Sequence, residues 1–269
     1  MKNFHLSLGA FLILGMIGCM EEEEEEKRKP VVHPSKSVHH VSWDYAGSGS
    51  PEHWAELSEE FIQCAEGHFQ SPIDISTMDA VEHPGSVLSF QYHPSPVDVV
   101  NNGHTVQAIL EESNLLTANQ HDYELKQIHF HVPSEHQVDG IVYPMEMHMV
   151  HADSFGKLAV VGIFIKEGKE NEYLKTFWQT LPEKVEKHVH PEGKCDVSHL
   201  LPEEHTVYHY QGSLTTPPCS EGVEWFVMKE PVALSKQQIK QFKELYPQNN
   251  RPVQEHHADL IEVVKIIKK

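Results

Sequence analysis

The chain is short of positive charge, of cysteine and of helical periodicity, and each shortage narrows what it can be. Lys and Arg number 21 against 40 Asp and Glu, a formal net charge of −19. That surplus disfavours binding to nucleic acid, which is not expected as a partner. Six of the acids form one run, Glu21 to Glu26, read as a solvated stalk rather than a cation site. Internal repeats are absent, and no low-complexity linker follows residue 42. With 39% hydrophobic residues in 269, the chain can bury one large core, and a single domain is the economical reading.

The N-terminus reads as a targeting segment. Lys2 precedes an apolar stretch over residues 6–17 that is too short to span a bilayer as a mature helix. It ends Met16-Ile17-Gly18-Cys19, which resembles a bacterial lipobox, with Met16 in place of the usual leucine and a thin basic flank. Residues 1–18 are therefore expected to be a lipoprotein-type signal peptide, with Cys19 lipidated. Residues 19–42 are expected to form a disordered acidic tether. The mature protein is expected in the periplasm or cell envelope, meeting a membrane only through that lipid. Cys64, Cys195 and Cys219 remain. Export favours a disulfide, three thiols permit only one, and spacing alone does not choose the pair.

From Trp43 onward the pattern is short alternating runs broken by Pro, Gly and Asn, over 73–75, 87–92, 97–101, 105–110, 115–118, 124–132, 146–151, 157–166, 206–211 and 224–228. Period-two alternation predicts strands. The nearly unbroken apolar run 158–165 predicts a central strand buried on both faces. Helices are expected over 57–64, over 170–181 and over 235–246, the last opened by Ser235 and Gln238 in capping-box spacing.

The stretch that carries chemistry is 127–151, Q-I-H-F-H-V-P-S-E-H followed by P-M-E-M-H-M-V-H. His129 and His131 are two apart, so on a strand they share a face. Asp139-Gly140 is a hairpin signal that returns the chain past Glu146 and His148. Three neutral imidazoles with a fourth position open form the ligand set of a catalytic zinc. His151 lies three residues from His148, so strand parity excludes it. Gln127 and Glu146 each lie two residues before a ligand, on the face from which they could accept the other ring N–H. Downstream, Gln211-Gly212-Ser213-Leu214-Thr215-Thr216-Pro217-Pro218-Cys219 fixes two threonines ahead of two prolines.

Together the motifs H-F-H, S-E-H, E-M-H-M-V-H, G-S-L-T-T-P-P-C, N-N-G-H, N-N-R-P-V-Q and Q-S-P-I-D-I resemble those of the alpha-class carbonic anhydrases, in family order, over residues 43–254. The resemblance implies a mainly β (α+β) single domain over 43–269, with a large, mostly antiparallel twisted central sheet and a few short peripheral helices. It implies Zn²⁺ on His129, His131 and His148, and reversible hydration of carbon dioxide to bicarbonate and a proton. Zinc lowers the pKa of bound water to about 7, and the standard example is carbonic anhydrase itself.

The further implied roles are specific. Thr215 accepts a hydrogen bond from zinc-bound hydroxide and donates to Glu135, and Thr216 places substrate. Val150, Val160, Leu214 and Trp225 form the apolar wall for carbon dioxide. The Asn249 backbone orients His131. His104 carries the proton out, and Tyr45, Asn102 and Gln107 order the connecting waters. Cys64 and Cys219 pair, leaving Cys195 free, and Ser71-Pro72 and Pro217-Pro218 are cis. A homodimer is compatible with this reading. Two other classes compete: a catalytically inactive relative serving as a binding module, and a periplasmic metal-binding lipoprotein suggested by the 22 histidines. Residues beyond Gln254 depart from the family pattern. Outlying histidines such as His39, His40, His188, His190, His256 and His257 read as surface groups.

Overall fold

Alternating runs interrupted every few residues leave little room for long helices, and the chain builds a sheet instead. The computed structural model describes residues 41–83, 88–110, 114–204, 206–255 and 261–265. The expected signal segment, Cys19, the tether up to residue 40, Val87, His256 and His257 lie outside the described residues. Val41–Lys269 is one compact unit, beginning two residues before the boundary expected at Trp43.

In chain order the strands are β1 (Asp74–Ile75), β2 (Val81–Glu82), β3 (Leu88–Gln91), β4 (Val97–Asn101), β5 (Val106–Leu110), β6 (Leu115–Ala118), β7 (His121–His131), β8 (Gln137–Val138), β9 (Met145–Ala152), β10 (Leu158–Glu167), β11 (His188–Val189), β12 (Thr206–Ser213), β13 (Glu221–Leu234) and β14 (Glu262–Lys265). One sheet runs β11-β4-β5-β7-β9-β10-β13-β12-β14-β2, with β6 joining β3 to β7. Most pairings are antiparallel, as expected. Two are parallel, β10 with β13 and β14 with β2, so the sheet is mixed. A parallel pair needs a long crossover, and the chain between β10 and β13 supplies one.

The helices are α1 (Trp54–Leu57), α2 (Gln63–Glu66), α3 (Lys175–Gln179) and α4 (Lys236–Leu245). Only α4 matches its expected length, and its Ser235–Gln238 capping box is formed. The helix expected over 57–64 is broken at Ser58. That residue is extended (φ −158°, ψ 145°) and uses its hydroxyl to accept the Glu60 N–H, starting a separate 3₁₀ turn. The helix expected over 170–181 shrinks to five residues, because Asn171 Oδ1 takes the N–H groups of Tyr173 and Leu174 at 3.1 Å each. Such local side-chain acceptors compete with helical hydrogen bonding.

Parity along the strands separates two layers. Met145, Met147 and Met149 of β9 and Ala159, Val161, Ile163 and Ile165 of β10 enter the larger core with Phe177, Trp178 and Phe242. Val160 and Phe164 face the other way, into a second cluster with Tyr210 and Trp225. β10 is thus buried on both faces, as its apolar run predicts. In β7 the register against β9 slips between Leu125 and Gln127. The bulge reverses parity, so Tyr123 and Leu125 enter the same core as Ile128 and Phe130, while Gln127, His129 and His131 turn to the opposite face.

Candidate active site

Neighbouring strands bring the three histidines together. His129 stands opposite Gln107 of β5 and His148 of β9, and His131 stands opposite Glu146. One ring nitrogen from each of His129, His131 and His148 lies within 4.8 Å of the others. Each remaining ring nitrogen is held. His129 Nδ1 donates to Gln127 Oε1 at 2.8 Å, His131 Nδ1 to the Asn249 carbonyl at 2.7 Å, and His148 Nε2 to Glu146 Oε1 at 2.9 Å. These bonds set the tautomers and leave Nε2, Nε2 and Nδ1 to converge. His131 Nε2 is buried with no hydrogen-bond partner. Burial holds all three imidazoles below their usual pKa, His131 at about 4; repulsion from neighbouring rings adds to this, from His131 and His148 at His129, from His131 at His148 and from His136 at His131. They are neutral at physiological pH, which is the state a metal ligand requires. An orphaned buried nitrogen within a three-imidazole set fits a zinc ion.

His151 lies on the far side of β9. It is fully buried, with Nε2 2.7 Å from the Tyr92 hydroxyl, so parity removes it from the ligand set as expected.

Glu146 is more deeply engaged than its spacing suggests. Its Oε1 also accepts His136 Nδ1 at 2.8 Å, and its Oε2 accepts the backbone N–H groups of Glu135 and His136 at 2.9 Å each. Burial alone would raise its pKa. The facing rings of His136 and His148 outweigh burial, and the carboxyl lies well below its usual range. The chain of bonds continues from His136 Nε2 to the Tyr210 hydroxyl at 2.6 Å and on to Ser71 Oγ at 2.9 Å. His136, Tyr210 and Ser71 were not identified from sequence. His136 is the last residue of S-E-H beside Glu135 and Ser71 stands in Q-S-P-I-D-I, both usable signals; Tyr210 gave none. Although His136, Glu146 and His148 also cluster, their facing atoms are spent on one another. Gly162, opposite His148, makes room for this arrangement: a Cβ there would sit 2.9 Å from Glu146 Oε1.

Thr215 is buried on the loop between β12 and β13, which is closed by Leu214 N–H to Ser220 O at 3.0 Å and Cys219 N–H to Thr216 O at 2.9 Å. Glu135 is also buried. Its Oε1 accepts the Arg251 N–H at 2.7 Å, while Oε2 has no partner in full hydrogen-bond geometry. Burial pushes the Glu135 carboxyl up to about 7, opposed by His148, the Arg251 N–H and the nearby Thr215 hydroxyl. Arg251, also missed in the sequence, reaches Gln70 Oε1, Ser71 O and Cys64 O at 2.7–2.9 Å. It ties the segment before β1 to the Glu135 loop.

Val150, Val160, Leu214 and Trp225 lie together. Val160 stands opposite both Val150 and Trp225, Leu214 packs on the same cluster, and Trp225 Nε1 donates to Ser213 O at 2.9 Å. Thr216 is half-buried on the adjoining loop. At the other end, Asn102 Oδ1 accepts the N–H groups of His104 and Thr105, and Asn102 Nδ2 donates to Gln107 Oε1 at 3.2 Å. The His104 ring stacks flat on Trp43, with centroids 3.7 Å apart and planes at 5°. Tyr45 packs nearby against Trp43, and burial, then the Glu135 charge, raises its phenol pKa well above 10. Cys64 and Cys219 form a disulfide, and Cys195 is a free thiol. Ser71-Pro72 and Pro217-Pro218 are cis as expected, and so is Val132-Pro133, which was not.

Comparison with known proteins agrees with this geometry. The eukaryotic-type carbonic anhydrase family model matches residues 49–262. A carbonic anhydrase of Nostoc sp. is 43% identical over 219 residues, covering 80% of this chain and 83% of that protein. One from Klebsiella pneumoniae is 43% identical, covering 79% and 87%. Among solved structures, the alpha-carbonic anhydrase of Thermovibrio ammonificans, in complex with the inhibitor sulfanilamide, superposes with a TM-score of 0.81 at 44% identity, over 82% of this chain and 99% of that one. A family match over most of the folded unit, with relatives this similar along four fifths of the length, establishes that the chain belongs to the eukaryotic-type, or alpha-class, carbonic anhydrase family.

Proposed function

We propose that this carbonic anhydrase performs the reversible hydration of carbon dioxide with zinc held by His129, His131 and His148, and that His104 exports the proton. The observation that carries the reading is the convergence of three neutral imidazole nitrogens whose other nitrogens are all held. Bound there, zinc supplies a Lewis acid that makes water nucleophilic near neutral pH.

The protein's own residues do the rest. Glu146, Gln127 and the Asn249 carbonyl hold the rings and make them better donors. Thr215, its hydroxyl proton directed toward Glu135, offers only an acceptor to the cavity. An incoming O–H is turned toward it, and a lone pair faces the substrate. Carbon dioxide carries no charge and no donor, so the wall of Val150, Val160, Leu214 and Trp225 receives it without stranding a polar group, and Thr216 lies beside bicarbonate as it forms. His104 takes a proton from ordered water near Asn102, Gln107 and Tyr45 and releases it to buffer, the task for which an imidazole is the side chain best suited near neutral pH.

Export to the periplasm or envelope, after cleavage of 1–18 and lipidation at Cys19 on an acidic tether, belongs to the same proposal. The Cys64–Cys219 disulfide supports it, because such bonds persist in oxidising compartments. Every catalytic position is filled, which argues against an inactive binding module. Stopped-flow hydration of carbon dioxide tests the reading with zinc-loaded, chelator-stripped and sulfonamide-treated protein. His129→Ala should lose zinc and rate together. A zinc-loaded sample with no turnover refutes it.

A further inference from the structure

Three groups outside the active site share one patch of sheet. β11 is an edge strand, paired antiparallel with β4 so that His188 stands opposite Val100 and Val189 opposite Val99. Continuing that register by one residue on each strand brings His190 opposite Asp98. His188 is then the diagonal neighbour of Asp98 on the same face. The contacts follow this register. His188 Nδ1 lies 2.7 Å from Asp98 Oδ2, and His190 Nδ1 lies 3.6 Å from Asp98 Oδ1. The two imidazoles address the two oxygens of one carboxylate.

Asp98 is the unusual member. Its flanking residues Val97 and Val99 point into the core, and its partner on β5 is Ile109, which offers no donor. Oδ1 is buried and accepts no hydrogen bond, since His190 is too far to donate one. An unsatisfied carboxylate oxygen out of solvent is costly, and a cation would offset that cost. The rings around it are accessible: His188 and His190 are 49% and 67% exposed, while Asp98 is 19% exposed. A half-buried anchoring carboxylate flanked by two exposed imidazoles is a site that can close on an ion by turning side chains alone.

We infer that Asp98, His188 and His190 form a second, exchangeable site for a divalent transition metal of the zinc class. Two imidazoles and a carboxylate suit zinc, nickel or copper, whereas calcium and magnesium prefer oxygen alone. Closure requires His190 to swing toward the His188–Asp98 pair, with water completing the coordination. The site is separate from the catalytic triad. The row His188–Val100–Gln107–His129 crosses three strand spacings, which places it about 14 Å away on the same sheet face. A metal here leaves the catalytic ligands untouched.

The test uses the full chain, untagged and already loaded at the catalytic site, titrated with zinc chloride by calorimetry near neutral pH. Other histidines contribute background, so the comparison is with Asp98→Asn and with the His188→Ala/His190→Ala double variant. Loss of a supporting group costs metal affinity roughly 10–100-fold, and loss of a direct ligand at least as much. Each variant should therefore lose one equivalent, or bind it at least about tenfold more weakly, with thermal stability and carbon dioxide hydration unchanged. Diethylpyrocarbonate labelling read by mass spectrometry supplies the local readout: zinc should protect His188 and His190 in the parent protein. Zinc binding that is the same in parent and variants, or labelling of the two histidines that zinc leaves unchanged, overturns the inference and makes any extra zinc adventitious.

Discussion

Gly162→Ala tests whether zinc affinity depends on the carboxylate behind the ligands. The added Cβ would stand 2.9 Å from Glu146 Oε1, closer than carbon and oxygen normally approach. Backing off by about half an ångström would stretch the 2.9 Å bond from His148 Nε2 beyond hydrogen-bond range. Disturbing a group that orients a ligand costs roughly 10–100-fold in metal affinity. The same crowding costs about 1–3 kcal/mol of stability as overpacking, or roughly 2–12 °C in Tm for a domain of this size. The assay is zinc release to a chelator, followed with thermal melting. Leu116→Ala is the control. That side chain is fully buried on β6, away from the site, and its removal should cost about 2–5 kcal/mol without speeding zinc loss. If Gly162→Ala releases zinc no faster than the parent, the Glu146 carboxylate does not act through His148 as argued.

His104→Ala should slow turnover mainly in weak buffer and recover with added imidazole; a loss that no buffer restores would remove His104 as the proton carrier. Cys64→Ser opens a link between residues 155 apart and should cost about 2–5 kcal/mol, measured by urea unfolding, with non-reducing mass mapping of the parent showing Cys64 joined to Cys219. On β13, Glu224 is drawn down to about 2: burial opposes the shift, but His209, Lys157 and Gln211 outweigh it. A depressed carboxyl pKa contributes stability that is complete above about 4.5 and lost as pH falls toward 2, so Glu224→Gln should flatten the acid limb of the stability curve. His209, held between Glu224 and Glu262, is shifted upward despite burial, so its share is complete below its ordinary pKa and fades as pH rises through the raised value. His209→Gln should remove that alkaline loss.

Much of the site was legible because it lies on strands. The period of two places His129, His131 and Gln127 on one face and excludes His151 from His148's face with no tertiary information. The apolar run of β10 likewise announced its burial on both sides. Other features depend on contacts between segments far apart in the chain. The slip between Leu125 and Gln127 reverses parity within β7, and a single alternating pattern does not show where a bulge falls. The helices over 57–64 and 170–181 failed because Ser58 and Asn171 spend their side chains on nearby N–H groups, a competition that apolar spacing ignores.

The residues by themselves determined the chemistry on offer: three imidazoles in strand register, a threonine held ahead of two prolines, a carboxylate two residues before a ligand, and a β-rich domain to carry them. Tertiary structure decided which atoms face the metal. His129 and His131 keep Nε2 free while His148 keeps Nδ1, because their partners come from β7, from the Asn249 backbone and from Glu146. It also decided that Glu146 is anchored by four donors and backed through His136, Tyr210 and Ser71, with Gly162 leaving the space. Local periodicity governs which face a side chain takes. The hydrogen bonds that select a tautomer, and the close approaches that demand a glycine, exist only once distant strands have paired.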